Sequence, residues 1–167
     1  MSYAVEPLGD GHELESFRCG VAALDEWLAR HARHATRQGT RTYVLVDGAR
    51  NVVGYFAIAP HLLEREDLPR RIGRGAPSRI PALLLAKLAL DERLHGDGLG
   101  RELLVHALTK IVTAARAAGG KLVVVDAIDE HAASFYRAHD FQPTGADFHR
   151  LVMKISTAAR ALELPWP

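Results

Sequence analysis

Residues 82–104 read ALLLAKLALDERLHGDGLGRELL, and the order of residue types here decides the fold. An almost unbroken apolar run from Ala82 to Leu90 leads into Gly96, Gly98 and Gly100. Leu99, Leu103, Ala107, Ile111 and Ala115 then recur at helical spacing until Gly119-Gly120 stops the pattern. The apolar run suits a buried helix or a buried strand, and periodicity leaves both open. The alternating glycines permit positive φ and let a ligand approach the backbone. The first N–H groups of the helix, with its dipole behind them, would face an anion such as a pyrophosphate. A P-loop requires Lys-Ser or Lys-Thr after the last glycine, where Arg101-Glu102 stands. A Rossmann fingerprint requires Gly-x-Gly-x-x-Gly near the first strand, and the spacing here is Gly-x-Gly-x-Gly late in the chain. A bare structural turn stays open as the plainer reading.

Outward from this turn, strand-like and helix-like stretches alternate, which favours an α/β domain. Tyr3 to Pro7 reads as a short strand. Leu24, Leu28 and Ala32 mark a helix from about Val21, closed by Gly39. Thr42–Val46 and Val52–Ile58 are β-rich runs with Asp47-Gly48, a hairpin signal, between them. His61 to Pro81 reads as an irregular surface excursion rich in Arg, Gly and Pro, with room for one short helix. Leu122–Val125 is a buried strand, Asp129–His139 a short helix, and Leu151–Ile155 a last strand. A short helix and a loose end follow.

The chain of 167 residues fits one domain, 1–167, with 48% apolar and 25% charged residues, which excludes long disorder. A formal charge of +1 makes no case by itself for nucleic acid or membrane. Cys19 is the single cysteine, so an intrachain disulfide is excluded. It reads as a small apolar residue rather than a nucleophile, because no activating partner is identifiable. The histidines show no metal-ligand spacing, and no metal is expected. No signal-peptide pattern and no apolar span of about 20 residues appear, so a cytoplasmic protein without membrane contact is expected.

The segment Ala86 to Leu104 resembles the acetyl-CoA motif of the GNAT acetyltransferases, Gln/Arg-x-x-Gly-x-Gly/Ala after a strand, with His95 where the family has Gln or Arg. Ala133–Phe141 is similar to that family's Phe-Tyr-x-x-x-Gly-Phe segment, with Asp140 in place of glycine. Phe17-Arg-Cys-Gly-Val-Ala-Ala-Leu-Asp-Glu-Trp-Leu28 resembles the opening of GNAT toxins from bacterial toxin–antitoxin modules, which acetylate the α-amino group of aminoacyl-tRNA and block translation. Pro81 followed by Leu83–Ala89 fits the same subfamily.

The resemblance implies an α/β (α+β) GNAT fold: a mixed, mostly antiparallel central sheet flanked by helices. It implies acetyl-CoA held by Leu88, Ala89, Leu90, His95, Gly96, Asp97, Gly98, Leu99, Gly100, Arg101 and Phe135. Tyr136 would stand beside the CoA sulfur as general acid, since a phenol of pKa about 10 stays neutral at pH 7 and can protonate a thiolate. Packing of the Tyr136 ring on the inner helix face is the competing reading. A backbone N–H near Leu90 would polarise the thioester carbonyl. No general base is evident. Asp91 and Glu92 read as solvated acids without a role.

Arg30, Arg33 and Arg37 fall on one predicted helical face, and Arg79 ends a second arginine group in the excursion. Either group reads equally well as ordinary exposed charge. With the toxin resemblance they become expected contacts for tRNA phosphates. Partners implied by the resemblance are an aminoacyl-tRNA, a ribbon-helix-helix antitoxin and a second copy of the chain. Two alternatives stand: a GNAT enzyme acting on a small-molecule or protein amine, and a CoA-binding sensor or scaffold without catalysis.

Overall fold

A computed structural model describes residues 2–145 and 149–167. In chain order the elements are β1 (Ala4–Pro7), α1 (Ala22–Glu26), a π-helical turn (Trp27–His31), α2 (Ala32–Arg37), β2 (Arg41–Val46) and β3 (Val52–Glu64). A 3-10 turn (Arg65–Asp67), α3 (Arg70–Gly73), β4 (Arg79–Leu90), a second 3-10 turn (Glu92–Leu94) and α4 (Leu99–Ala118) come next. The chain ends with β5 (Leu122–Asp126), α5 (Glu130–Ala138), β6 (Gln142–Pro143), β7 (Arg150–Lys154) and α6 (Ile155–Ala161). Among the described residues the strands form one sheet in the order β1-β2-β3-β4-β5-β7-β6. The β4–β5 pair is parallel, and β1–β2, β2–β3, β5–β7 and β6–β7 are antiparallel. This is the expected mixed, mostly antiparallel GNAT sheet.

Contacts divide the chain into two compact units. The first holds residues up to Ala59 with Ala86–Ala107, the second Pro60–Leu85 with Leu108 onward. In the first unit Phe17, Cys19, Leu28 and Ala32 pack against Val44, Val46, Tyr55 and Ala89. The toxin-like opening is therefore a packing motif. Cys19 N–H donates to Asp25 Oδ1 at 2.9 Å, the Trp27 ring stacks on Tyr55 at 5.9 Å, and Tyr55 Oη donates to the Leu24 carbonyl at 2.7 Å. Burial pushes the Cys19 thiol up to about 11, so it stays protonated and inert. In the second unit Leu63, Ile72, Ile80, Leu122, Val124 and Val152 form the core.

The structure resolves the open reading of Ala82–Leu90 as strand β4. It also corrects two expectations. The excursion is shorter than expected, because β3 runs on to Glu64 and β4 already begins at Arg79, and the short helix within it is α3. The hairpin loop is wider than Asp47-Gly48: Asp47 N–H donates to the Asn51 carbonyl at 3.0 Å, and Asp47 Oδ1 accepts from Ala49 and Asn51 N–H. The left-handed residue is Arg50 at φ +69, because the Asp47 carboxylate, and not Gly48, organises the turn.

Helix α5 starts at the Asp129 cap, whose Oδ1 accepts from Ala132 N–H at 2.8 Å. It ends in a Schellman arrangement: Phe141 N–H donates to the Tyr136 carbonyl at 3.1 Å and Asp140 N–H to the Arg137 carbonyl at 3.2 Å. The apolar contact that accompanies this motif is Tyr136 on Phe141, ring centroids 5.3 Å apart. Asp140 is the left-handed residue, at φ +72. The family glycine is thus a helix-exit residue, and Asp140 takes its conformation at some steric cost. Asp140→Gly is expected to raise stability by about 0.5–1 kcal/mol, read from the thermal or urea midpoint, with the fold unchanged.

Candidate active site

In the first unit the end of β4 is built around Asp91. This residue is 2% exposed, against the solvated acid expected from sequence. Its Oδ1 accepts from Arg93 N–H at 3.1 Å and Arg93 Nε at 2.9 Å, and its Oδ2 from Arg18 N–H at 3.3 Å. Its own N–H donates to the Val53 carbonyl at 2.8 Å, and the Glu92 N–H donates to the Arg18 carbonyl at 2.8 Å. The strand end is thereby fastened to β3 and to the segment before α1. Burial alone would raise the Asp91 pKa. The Arg93 side chain and the N–H groups of Arg93 and Arg18 outweigh it and hold the carboxyl below its ordinary value.

Leu88 is half-buried, and Ala89 and Leu90 are buried. The parallel ladder to β5 covers Ala82–Leu85, opposite Leu122–Val125, and β4 continues beyond it to Leu90. His95 folds back on the strand: its Nε2 lies 2.7 Å from the Leu90 carbonyl. A carbonyl only accepts, so Nε2 carries the proton and donates. The ring clamps the turn to the strand instead of extending toward a phosphate through that nitrogen.

Gly96 and Gly98 have φ +89 and +78, and a Cβ at either would meet nothing within 4 Å. Both therefore need glycine for the backbone, and the space beside them is open. Gly100 lies inside the first turn of α4 and is not among the positive-φ glycines. Glu102 N–H reaches the Gly98 carbonyl at 3.4 Å, which leaves the N–H groups of Leu99, Gly100 and Arg101 without intrahelical acceptors. Asp97 and Arg101 are exposed. A 20-residue helix starting here adds the positive end of its dipole. Open glycine backbone, free N–H groups and a helix dipole fit a pyrophosphate.

The second unit holds Phe135 and Tyr136. Tyr136 is 8% exposed, packed edge-on against Phe135 at 5.4 Å and against Phe141. Burial pushes its phenol above the ordinary tyrosine value. The ring packs as the competing reading expects, and burial keeps the phenol protonated. The His139 ring lies 4.6 Å from Phe135, and His139 Nδ1 donates to the Phe135 carbonyl at 2.8 Å.

Of the arginines, Arg30 and Arg37 are exposed as expected. Arg33 differs. Its Nη2 donates to the carbonyls of Gly9, 3.2 Å, and His12, 2.8 Å, so it straps the N-terminal loop. The reason is the π turn Trp27–His31, which inserts one residue and rotates the start of α2 out of the expected face. Arg79 is exposed and paired with Glu64 at 3.3 Å. Among the described residues no group of acids, histidines or cysteines could hold a metal, and no helix is long and apolar enough to cross a membrane.

No family model matches the chain. It is 33% identical over 156 residues to a tRNA-acetylating toxin of Mycobacterium tuberculosis, with 93% of each protein covered. The chain belongs to the GNAT-type tRNA-acetylating toxins. Solved structures of such toxins superpose over nearly the whole chain. AtaT complexed with acetyl-methionyl-tRNAfMet gives a TM-score of 0.84 at 29% identity, covering 97% of this chain and 98% of that one. A tyrosine-to-phenylalanine variant of AtaT, bound to the antitoxin AtaR C-terminus and acetyl-CoA, gives 0.80 at 28% identity, covering 95% and 97%.

What sequence reasoning missed in this GNAT toxin is Asp91, since an acid after a strand carries no signal of burial. Its depressed pKa sets a pH dependence. The stability it contributes is present above the unfolded value of about 3.9 and is lost as pH falls through the folded value. In urea titrations the advantage of the wild type over Asp91→Asn is expected in full at pH 7 and to fade below about pH 4.

Proposed function

We propose that this chain transfers the acetyl group of acetyl-CoA to the α-amino group of an aminoacyl-tRNA and thereby arrests translation. The observation that carries the reading is the open glycine turn at the head of α4, in a chain of this toxin family. The whole span 1–167 acts as one catalytic domain.

The N–H groups of Leu99, Gly100 and Arg101 and the backbone at Gly96 and Gly98 hold the pyrophosphate of acetyl-CoA, and Leu88, Ala89 and Leu90 line its pantetheine arm. Phe135 borders the thioester end. Bound in this way, acetyl-CoA supplies an acyl group activated as a thioester. The N–H of Asp91 is spent on Val53, and another backbone N–H near Leu90 polarises the thioester carbonyl. The α-amine of an aminoacyl ester is less basic than a lysine amine, so a large neutral fraction exists near pH 7 and positioning does most of the work. Tyr136 gives its proton to the departing thiolate. Its raised pKa keeps that proton in place throughout the neutral range. Exposed Arg30 and Arg37 meet tRNA phosphates, with Arg33 bracing the loop behind them. The toxin works in the cytoplasm, pairs with a second copy and is held by a ribbon-helix-helix antitoxin, in keeping with the AtaR segment bound to AtaT.

Two outcomes are expected. Tyr136→Phe lowers the rate of labelled acetyl transfer from acetyl-CoA to charged tRNA by about 10²–10³-fold, with acetyl-CoA affinity unchanged. Unaltered turnover would remove the phenol from the chemistry, and loss of cofactor binding would make its role packing alone. Gly98→Val weakens acetyl-CoA binding at least about tenfold in calorimetry, near 1.4 kcal/mol, while circular dichroism stays that of the wild type. Wild-type affinity in this variant would take the pyrophosphate away from the turn.

A further inference from the structure

In the second unit a small cavity of about 170 Å³ opens beside the starts of β4 and β5 and the end of β7. Its rim carries Arg74, Lys121 and Lys154 with Ser156, and no acid lines it. Its floor includes Ile80 and Leu122, both almost wholly buried. The three cationic side chains are exposed, and among the described residues none is paired with a carboxylate. Elsewhere in this unit Arg79 is paired with Glu64, Arg137 with Glu130 and Arg150 with Asp126.

The two lysines are placed by the sheet. Lys121 N–H donates to the Pro81 carbonyl at 2.8 Å, and the Lys121 carbonyl accepts from Ile155 N–H at 2.9 Å. Lys154 stands directly across the β5–β7 ladder from Leu122. Like charges held on neighbouring strands repel, and a bound anion would relieve that repulsion. Two ammonium groups, a guanidinium fork and a hydroxyl together offer the donors that the free oxygens of a phosphate accept. Pockets that enclose a whole small molecule usually measure about 300–1,000 Å³, so this cup suits one charged group of something larger. The exposed large apolar residues among those described, Leu62 and Ile128, lie outside its rim, so no exposed apolar patch adjoins the cup.

We propose that the cup formed by Arg74, Lys121, Lys154 and Ser156 binds a backbone phosphodiester of the RNA acceptor. This rests on the reading of the chain as a tRNA acetyltransferase and adds a contact distant in sequence from Arg30 and Arg37. Such a contact positions the RNA without reading its sequence.

The test is titration of the full chain with fluorescently labelled uncharged tRNA at several salt concentrations. Lys121→Ala with Lys154→Ala is expected to weaken binding about tenfold near 0.1 M salt and to flatten the slope of log affinity against log salt by about 1–2. Acetyl-CoA affinity, in which neither lysine takes part, stays at the wild-type value. Should the pair of substitutions unfold the chain, Arg74→Gln, at an exposed position outside the strands, tests the same cup and is expected to flatten the slope by about 1. Wild-type affinity and slope in the folded variants, while the wild type still acetylates tRNA, would overturn the cup and leave the functional reading standing. A wild type that neither binds nor acetylates tRNA would overturn both. Inorganic phosphate alone provides the last arm: a saturable shift of the Lys121 and Lys154 signals, with RNA affinity of the variants unchanged, reassigns the cup to free phosphate and overturns the RNA assignment.

Discussion

The carboxylate of Asp91 holds together the end of β4, from which the glycine turn departs. Buried at the end of β4, it gathers the N–H of Arg18, the N–H of Arg93 and the Arg93 guanidinium on two oxygens. An uncompensated carboxylate at that depth would be costly; three donors make it a fixed point. From there the chain can leave the strand, make one 3-10 turn and present Gly96 and Gly98 at the head of α4. The His95 ring, donating to the Leu90 carbonyl, closes the same corner from the other side. The glycine backbone at the head of α4 is thus anchored at the strand end by Asp91 and at the turn by His95.

The segments that resemble the family carry structure first. Phe17 to Leu28 is a packing unit in which Asp25 caps the Cys19 N–H and Trp27 stacks on Tyr55, with Lys87 Nζ 5.4 Å above the Trp27 ring. The Phe-Tyr segment is a helix exit whose Schellman bonds and Phe141 contact fix the backbone and ring of Tyr136 together. In the proposed acid role a phenol gains from being held at both its carbonyl and its ring, because reacting groups work only within a narrow range of positions.

Charge follows a similar division. A net charge of +1 conceals cations with different occupations. Arg33 is spent on loop carbonyls and Arg93 on Asp91, whereas Arg79 is held only by an exposed ion pair worth about 0–1 kcal/mol. Exposed Arg30 and Arg37, and the Arg74, Lys121 and Lys154 cup, remain available to phosphates. Counting basic residues along the chain could not separate these groups, because what a guanidinium does depends on which carbonyls and carboxylates surround it.

The sequence by itself determined the alternation of strands and helices, the long helix α4, the glycine turn before it, the family, and Cys19 as a core residue. The family comes from the resemblance of its motifs; the others rest on local rules: side-chain period, the φ range of glycine, and the apolar character of a lone thiol. Tertiary structure alone decided that Ala82–Leu90 is a strand, that β3 and β4 extend into the supposed excursion, that Arg33 turns inward after a π turn, and that Asp91 is buried. An apolar run satisfies helix and strand alike until neighbouring strands supply the ladder, and a carboxylate is solvated or structural according to donors that lie far away in sequence. Arg18 is 73 residues from Asp91. No local pattern encodes that separation; only the packed chain brings the donor and the acceptor together.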